Sequence, residues 1–272
     1  MPNYVRFRDR STHAICLGTI EADIISECSG ASDELWADSH KPTGRTLALT
    51  DIDLLAPFQP RSVIGLWNNF FERATLEGNK IPDVVLYFMK PPGSVIGPND
   101  TIVRPACGPK AVKFEAELGI VIGTKCCQVS EEEAPSYVFG FCCVNDVTAV
   151  PYLKEDPSFQ QWTRSKGFDT FCPVGPAVTT DRLDFTTLRV QAVQNGKVQQ
   201  DYPVSDMIFS PYKIVSMLSH YQTLWPGDLI ACGTSVGAKN LEHGDTIEVV
   251  IPGIGSLSNP FSDKGAAGKR KL

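Results

Sequence analysis

The chain has 272 residues, enough for one large domain or a large domain with a small appendage. Its 42% hydrophobic and 21% charged content is that of an ordinary globular protein, and a formal net charge of -6 argues against a nucleic-acid or anionic-membrane partner. Nine cysteines without a C-x-x-C pair read as reduced thiols of an intracellular protein, and four histidines without metal-type spacing argue against a zinc site.

The opening MPNYVRFRDRSTHAICLG lacks the apolar core of a signal peptide, so a cytoplasmic protein with no membrane partner is expected. Residues 1–57 read as a small β-rich N-terminal domain, in which YVRFR and AICLGTIEADII are β-type runs and SGASDELWADSHKPTG is a polar loop. LTDIDLLAPFQP leads through two prolines into the main body, residues 58–262. There, residues 62–66 make an apolar strand, and WNNFFERATLEGN predicts a short helix opened by an Asn cap and closed near Gly78. DVVLYFMK is a strand that ends at Lys90, ahead of a Pro/Gly-punctuated loop.

FEAELGIVIG, residues 114–123, reads as a buried strand. Side chains two apart on a strand share a face, which puts Glu115 and Glu117 side by side against an apolar core. Two adjacent, poorly solvated anions need a cation or a shared proton, and a hard divalent ion with oxygen ligands supplies one. A strand edge with two exposed glutamates is the other reading of this segment. Beyond it, Ser130 and Glu133 form a capping box that predicts a helix to about Phe139. GFCCVNDVTA is a further buried strand ending in Asn145 and Asp146. Residues 150–178 read as a long ordered loop of the kind that binds ligands. Asn195-Gly196 marks a two-residue hairpin. Residues 212–221 predict an amphipathic helix whose Ile214, Met217, Leu218 and Tyr221 face the core. Two more strand runs separated by Gly-Asp turns follow, and residues 263–272 read as a disordered tail.

Many strands, few short helices and no alternating strand-helix rhythm predict an α+β fold that is mainly β. Gly233-Thr234-Ser235-Val236-Gly237 fits the G-x-S-x-G nucleophile elbow, yet no stable helix follows it and only Glu242 stands between it and His243. It is read as a glycine-rich turn.

These segments together resemble the fumarylacetoacetate hydrolase family over roughly residues 58–262: KPPGSVIGPNDTI, FEAELGIVIG, FGFCCVNDVTA, KGFDTFCPVGP, LSHYQTLWPGDLIACGTSVG and GDTIEVVIPGIGSLSNPF occur in the family's order. The resemblance implies the mixed β-sandwich or roll of that family's C-terminal domain, with the lead-in matching a small extra domain. It implies Glu115, Glu117 and Asp146 as ligands of Mg2+ or Mn2+, Lys166 beside the metal with Thr170 behind it, and Thr234 in contact with a small-molecule substrate. The implied chemistry is a 2-oxo acid or β-dicarbonyl that chelates the metal, which polarises the carbonyl and stabilises an enolate.

The sequence also departs from the family. Hydrolytic members carry N-Y-x-x-H-x-x-E, a His-Glu pair that activates water; here Arg73 replaces the His and Leu76 the Glu. The Arg of A-R-D-x-Q is lost after Asp146, so Arg73 is the candidate for positive charge in the pocket, and Glu72 is the candidate for a displaced base. Keeping the metal set and Lys166 without the dyad favours decarboxylation or keto-enol isomerisation. A C–C bond hydrolase and a catalytically inactive metal-binding scaffold are the alternatives. The resemblance also implies a homodimer, with the hydrophobic residues around Trp67, Phe70 and Phe71 as its interface. The terminal Arg-Lys-Leu only loosely matches the peroxisomal S-K-L address, so the cytoplasm is preferred to the peroxisome.

Overall fold

The computed structural model describes residues 2–32, 34–37 and 40–263, and strands dominate it as expected. The lead-in forms β1 (Asn3–Asp9), β2 (Ile15–Glu21), β3 (Ile24–Cys28), β4 (Pro42–Ala48) and β5 (Ile52–Leu54). Alternation sets β1: Val5, Phe7 and Asp9 are buried while the residues between them are only half-buried. The body begins with β6 (Val63–Trp67), α1 (Phe71–Glu77), β7 (Leu86–Lys90), β8 (Val95–Ile96), β9 (Ile102–Val103), β10 (Val112–Lys113) and β11 (Ala116–Ile122). It continues with β12 (Val138–Asn145), β13 (Thr148–Ala149), α2 (Val150–Leu153), α3 (Trp162–Lys166), β14 (Cys172–Thr179), β15 (Arg189–Gln194) and β16 (Lys197–Pro203). It closes with α4 (Pro211–Tyr221), β17 (Leu229–Ala231), β18 (Thr246–Ile251) and β19 (Gly255–Ser262). No helix among the described residues is long and apolar enough to cross a membrane.

The large sheet runs β4-β3-β2-β1-β14-β12-β11-β17-β6-β7, with β5 on β1 and β8 on β14; a second sheet runs β16-β15-β18-β19-β9. Neighbours are antiparallel except β17/β6, β14/β8 and β19/β9, which makes the sheets mixed. The lead-in joins the large sheet directly, through Asn3 opposite Thr179 and Tyr4 opposite Val178.

β11 lies in the middle, and every one of its residues is buried. Leu118, Ile120 and Ile122 face a core shared with the second sheet (Val190, Ile247, Val249) and α4 (Ile214, Leu218). Val121 faces the opposite core, with Val63, Val144, Val174 and Leu229. Two covered faces explain the near-continuous apolar run. Gly119 is required by close approach: a Cβ there would lie 2.6 Å from a Val144 methyl and 2.8 Å from Cys142 Sγ.

Several local expectations are overturned. α1 is not capped by an asparagine: Phe70 holds the cap position, and Asp206 Oδ2 instead accepts from the Glu72 N–H at 3.1 Å. Asn69 is drawn inward, its amide donating to Cys232 O at 2.9 Å and accepting from Phe209 N–H at 2.9 Å. The Ser130/Glu133 capping box forms reciprocally, at 2.8 and 3.2 Å, but opens only a 3-10 turn at Ala134–Ser136, because the chain must enter β12 at Val138. The expected loop at 150–178 contains α2, α3 and most of β14. On α4, Ile214 and Leu218 are buried as expected, but Tyr221 is half exposed and stacks on Tyr87. Phe70 is no surface residue: it is fully buried, edge-on to Tyr202 at 4.9 Å. The tail expected to be disordered lies, beyond Asp263, outside the described residues.

Candidate active site

The antiparallel register of β11 and β12 sets Ala116 opposite Asn145, so Glu115 and Asp146 are neighbours although thirty-one positions separate them. Two hydrogen bonds fix the junction: Asp146 N–H donates to Glu115 O at 2.8 Å, and Glu115 N–H to Asn145 Oδ1 at 3.0 Å. Glu117 projects on the same side as Glu115, as alternation requires. Carboxylate oxygens of Glu115, Glu117 and Asp146 lie within 4.8 Å of one another, and all three residues are buried. The two glutamates are therefore not an exposed strand edge.

Three cationic side chains surround this cluster. Lys166, at the last position of α3, is 3% exposed; its Nζ donates to Glu115 Oε2 at 2.6 Å, to Thr148 Oγ1 at 2.8 Å and to Asp146 Oδ2. Lys90, at the end of β7, is 1% exposed and donates to Asp146 Oδ1 at 2.5 Å and to Phe171 O at 3.0 Å. Arg73, on α1, reaches Glu115 Oε1 and Thr234 O, each at 3.4 Å, while its Nε holds Glu77 at 2.9 Å. Among the described residues no ammonium donates to Glu117. Its Oε2 accepts one backbone N–H, from Gly233 at 2.8 Å.

The electrostatics follow. Burial, and then the charge of Asp146, push the Glu117 carboxyl well above its ordinary value. Asp146 is equally buried, yet the ammonium groups of Lys166 and Lys90 outweigh desolvation and hold it below the usual range. Burial opposes the charge of Lys166, but Asp146 and Glu115 overcome this and keep it protonated. The cluster thus has one carboxyl whose charge is poorly compensated, beside two that are paired. That fits a divalent cation: a set of hard carboxylate oxygens, one of them short of positive charge, matches Mg2+ or Mn2+ and not a soft thiophilic metal.

Thr234 and Thr170 have different surroundings. Thr234 is buried in the Gly233–Gly237 turn, its Oγ1 accepting from Gln200 Nε2 at 2.9 Å. Thr170 has φ of 69° and its Oγ1 accepts from Val103 N–H at 2.9 Å, so its hydroxyl ties the loop after α3 to β9. Glu72 is exposed on α1, and Leu76 is 70% exposed. The G-x-S-x-G stretch is a turn, with φ of 89° at Gly233 and 96° at Gly237, and no helix follows it among the described residues.

Three residues of the site carried no signal in the sequence. Lys90 sits at the end of an ordinary strand before two prolines; only its parity with Phe88, inward on β7, hints at its burial. Gln200 and Tyr202 lie on β16, one strand of the hairpin. Gln200 accepts from Ala116 N–H at 3.1 Å, and Tyr202 donates to Ala116 O, so both brace the start of β11.

The sequence profile described as fumarylacetoacetate (FAA) hydrolase C-terminal matches residues 62–262, and one described as Rv2993c-like, N-terminal matches residues 3–57. The chain is 41% identical to protein Rv2993c of Mycobacterium tuberculosis over 225 residues, 82% of this chain and 83% of that one. Its fold is similar to that of 5-carboxymethyl-2-hydroxymuconate delta-isomerase from Mycobacterium smegmatis, with a TM-score of 0.86 at 33% identity over 96% of this chain and 100% of the other. It is also similar to maleylpyruvate hydrolase from Sphingobium sp. SYK-6, a structure in complex with manganese(II) and pyruvate, with a TM-score of 0.78 at 26% identity over 96% and 98% of the two chains.

Proposed function

The chain belongs to the fumarylacetoacetate hydrolase family, and from that premise we propose a Mg2+- or Mn2+-dependent enzyme that acts on an enolisable 2-oxo acid or β-dicarbonyl compound by keto-enol isomerisation or decarboxylation. The observation that carries this is the convergence of three buried carboxylates, one of them undercompensated, beside a buried lysine. A divalent ion held by Glu115, Glu117 and Asp146 supplies Lewis-acid polarisation of a bound carbonyl. The manganese and pyruvate bound by the Sphingobium enzyme support both the ion and the substrate class.

The chain's own residues supply the rest. Lys166, held protonated, is a hydrogen-bond donor and a fixed positive charge, and it offsets negative charge that develops on the substrate oxygen. Lys90 fixes the carboxylate of Asp146 from behind. Thr234 contacts the substrate at the mouth of the turn, while Thr170 steadies the loop that follows Lys166. Arg73 stands where hydrolytic members have their water-activating His, and a guanidinium cannot take a proton from water. With that position cationic and Leu76 pointing outward, chemistry without a nucleophilic water is favoured over C–C hydrolysis with Glu72 as base.

Metal-dependent turnover of oxaloacetate or an acylpyruvate, with products identified by mass spectrometry, tests the proposal. Activity is expected to vanish with EDTA and with Glu117→Ala. Turnover that survives both removes the metal site from the mechanism, and no turnover of any 2-oxo acid or β-diketone favours an inactive scaffold. A hydrolysis product that disappears in Glu72→Gln reverses the ranking of the reactions. We also propose a cytoplasmic homodimer: nine free cysteines accord with a reducing compartment, and Phe71, Leu76, Tyr87 and Met89 expose apolar surface on α1 and β7. Light scattering that gives the mass of one chain would rule out the dimer.

A further inference from the structure

Inward-facing Phe88 and Lys90 are two apart on β7, so the strand that carries a buried site cation also carries an aromatic ring beside it. The ring centroid of Phe88 is 4.9 Å from Lys166 Nζ. One turn before Lys166 on α3, Trp162 stacks on the same ring, with centroids 5.2 Å apart and an angle of 14°. Trp67, paired with Leu86 across β6 and β7, lies 5.9 Å from Trp162. These rings line a cleft of about 390 Å³ that opens to solvent and shares Phe88 with the carboxylate site. Its lining includes no charged residue; its polar groups are the Tyr87 hydroxyl, the two indole N–H groups and Gln160, whose Oε1 accepts from Trp162 Nε1 at 3.1 Å. Trp67 and Trp162 remain only half-buried at this opening.

We infer that the substrate carries an apolar arm of aryl size, lying in this cleft against Trp67 and Trp162 while its dicarbonyl end sits at the carboxylates. The inference rests on the 2-oxo acid or β-dicarbonyl chemistry proposed above and adds its specificity. An aromatic wall that reaches Lys166 through Phe88 rewards a flat apolar group, and a lining without cations offers a distal carboxylate no ion pair. The preferred substrates are therefore aryl- or bulky alkyl-substituted oxo acids or diketones, not long dicarboxylates.

Calorimetry on the Mn2+-loaded full chain, with pyruvate and phenylpyruvate as probes, tests this. Phenylpyruvate is expected to bind about tenfold more tightly than pyruvate, or better, from burial of the ring. Trp67→Ala and Trp162→Ala should each remove most of that ratio. Trp162 shares a helix with Lys166, so its replacement can disturb the lysine; Trp67 does not, and it keeps the test decisive. Equal binding of the two acids, or a ratio intact in Trp67→Ala, overturns the inference while leaving the metal site standing. A Trp67→Ala variant that changes mass on gel filtration but keeps the ratio shows a contact between copies instead, and overturns it as well. If neither acid binds, the proposed chemistry itself fails and takes this inference with it.

Discussion

Glu117 is the residue on which the site's behaviour turns, because it is fully buried and, among the described residues, paired with no cation. Its folded-state pKa is raised, so the apo protein is most favoured below the carboxyl's unfolded value, and that advantage is lost as pH rises toward the raised value. A divalent ion needs the carboxylate and reverses the trend. The stabilisation by Mn2+ should therefore grow between about pH 5 and pH 8, by at most about 1.4 kcal/mol per unit for this one group. Thermal unfolding with and without Mn2+ across that range is the measurement, and an increment independent of pH contradicts it. Glu117→Gln keeps the acceptor for Gly233 N–H and removes the uncompensated charge. It should raise the melting temperature of the apo protein by a few degrees, about 2–4 °C per kcal/mol for a chain of this size, and weaken Mn2+ binding by more than about 100-fold. Lys90→Met acts in the opposite sense. Asp146 would keep only Lys166 as a buried partner, and urea denaturation should show a loss of about 3 kcal/mol.

At the scale of elements, the sequence showed what local chemistry decides and hid what tertiary contact decides. The β11 strand, the Asn195-Gly196 hairpin and α4 were legible because alternation, turn residues and helical spacing agree with the packing around them. The capping box at Ser130 was legible too, but its helix was not to be had, since β12 claims the chain only a few residues later. Ser130→Ala should accordingly cost less than a full helix cap, about 0.5 kcal/mol or below in chemical denaturation. Asn69 looked like a cap and is instead a clamp between two distant backbone segments. The three acids were found by spacing and resemblance. Lys90 was not, because a lysine at a strand end is ordinarily solvated, and only the full sheet shows that β7 brings it onto Asp146.

For the whole molecule, the boundary between the two profile matches is not a boundary in the large sheet. β1 is hydrogen-bonded to β14, and Leu17, Leu35 and Phe58 contribute to the same core as Val63, Val144 and Leu229. Removing residues 1–57 would strip β14 of its neighbour and open that core. The truncated chain is expected to aggregate or to melt at least 10 °C lower, whereas a soluble fragment with unchanged unfolding and Mn2+ binding would establish an autonomous body. The same continuity bears on synthesis. β11 acquires β12 soon after it emerges, but its other flank stays bare until Leu229–Ala231 has been made. The acid pair it carries must wait as long for the Gly233 N–H that steadies Glu117. A nascent chain therefore holds a half-dressed strand while about a hundred further residues are added, and it becomes competent to capture an ion only once Gly233 has been made.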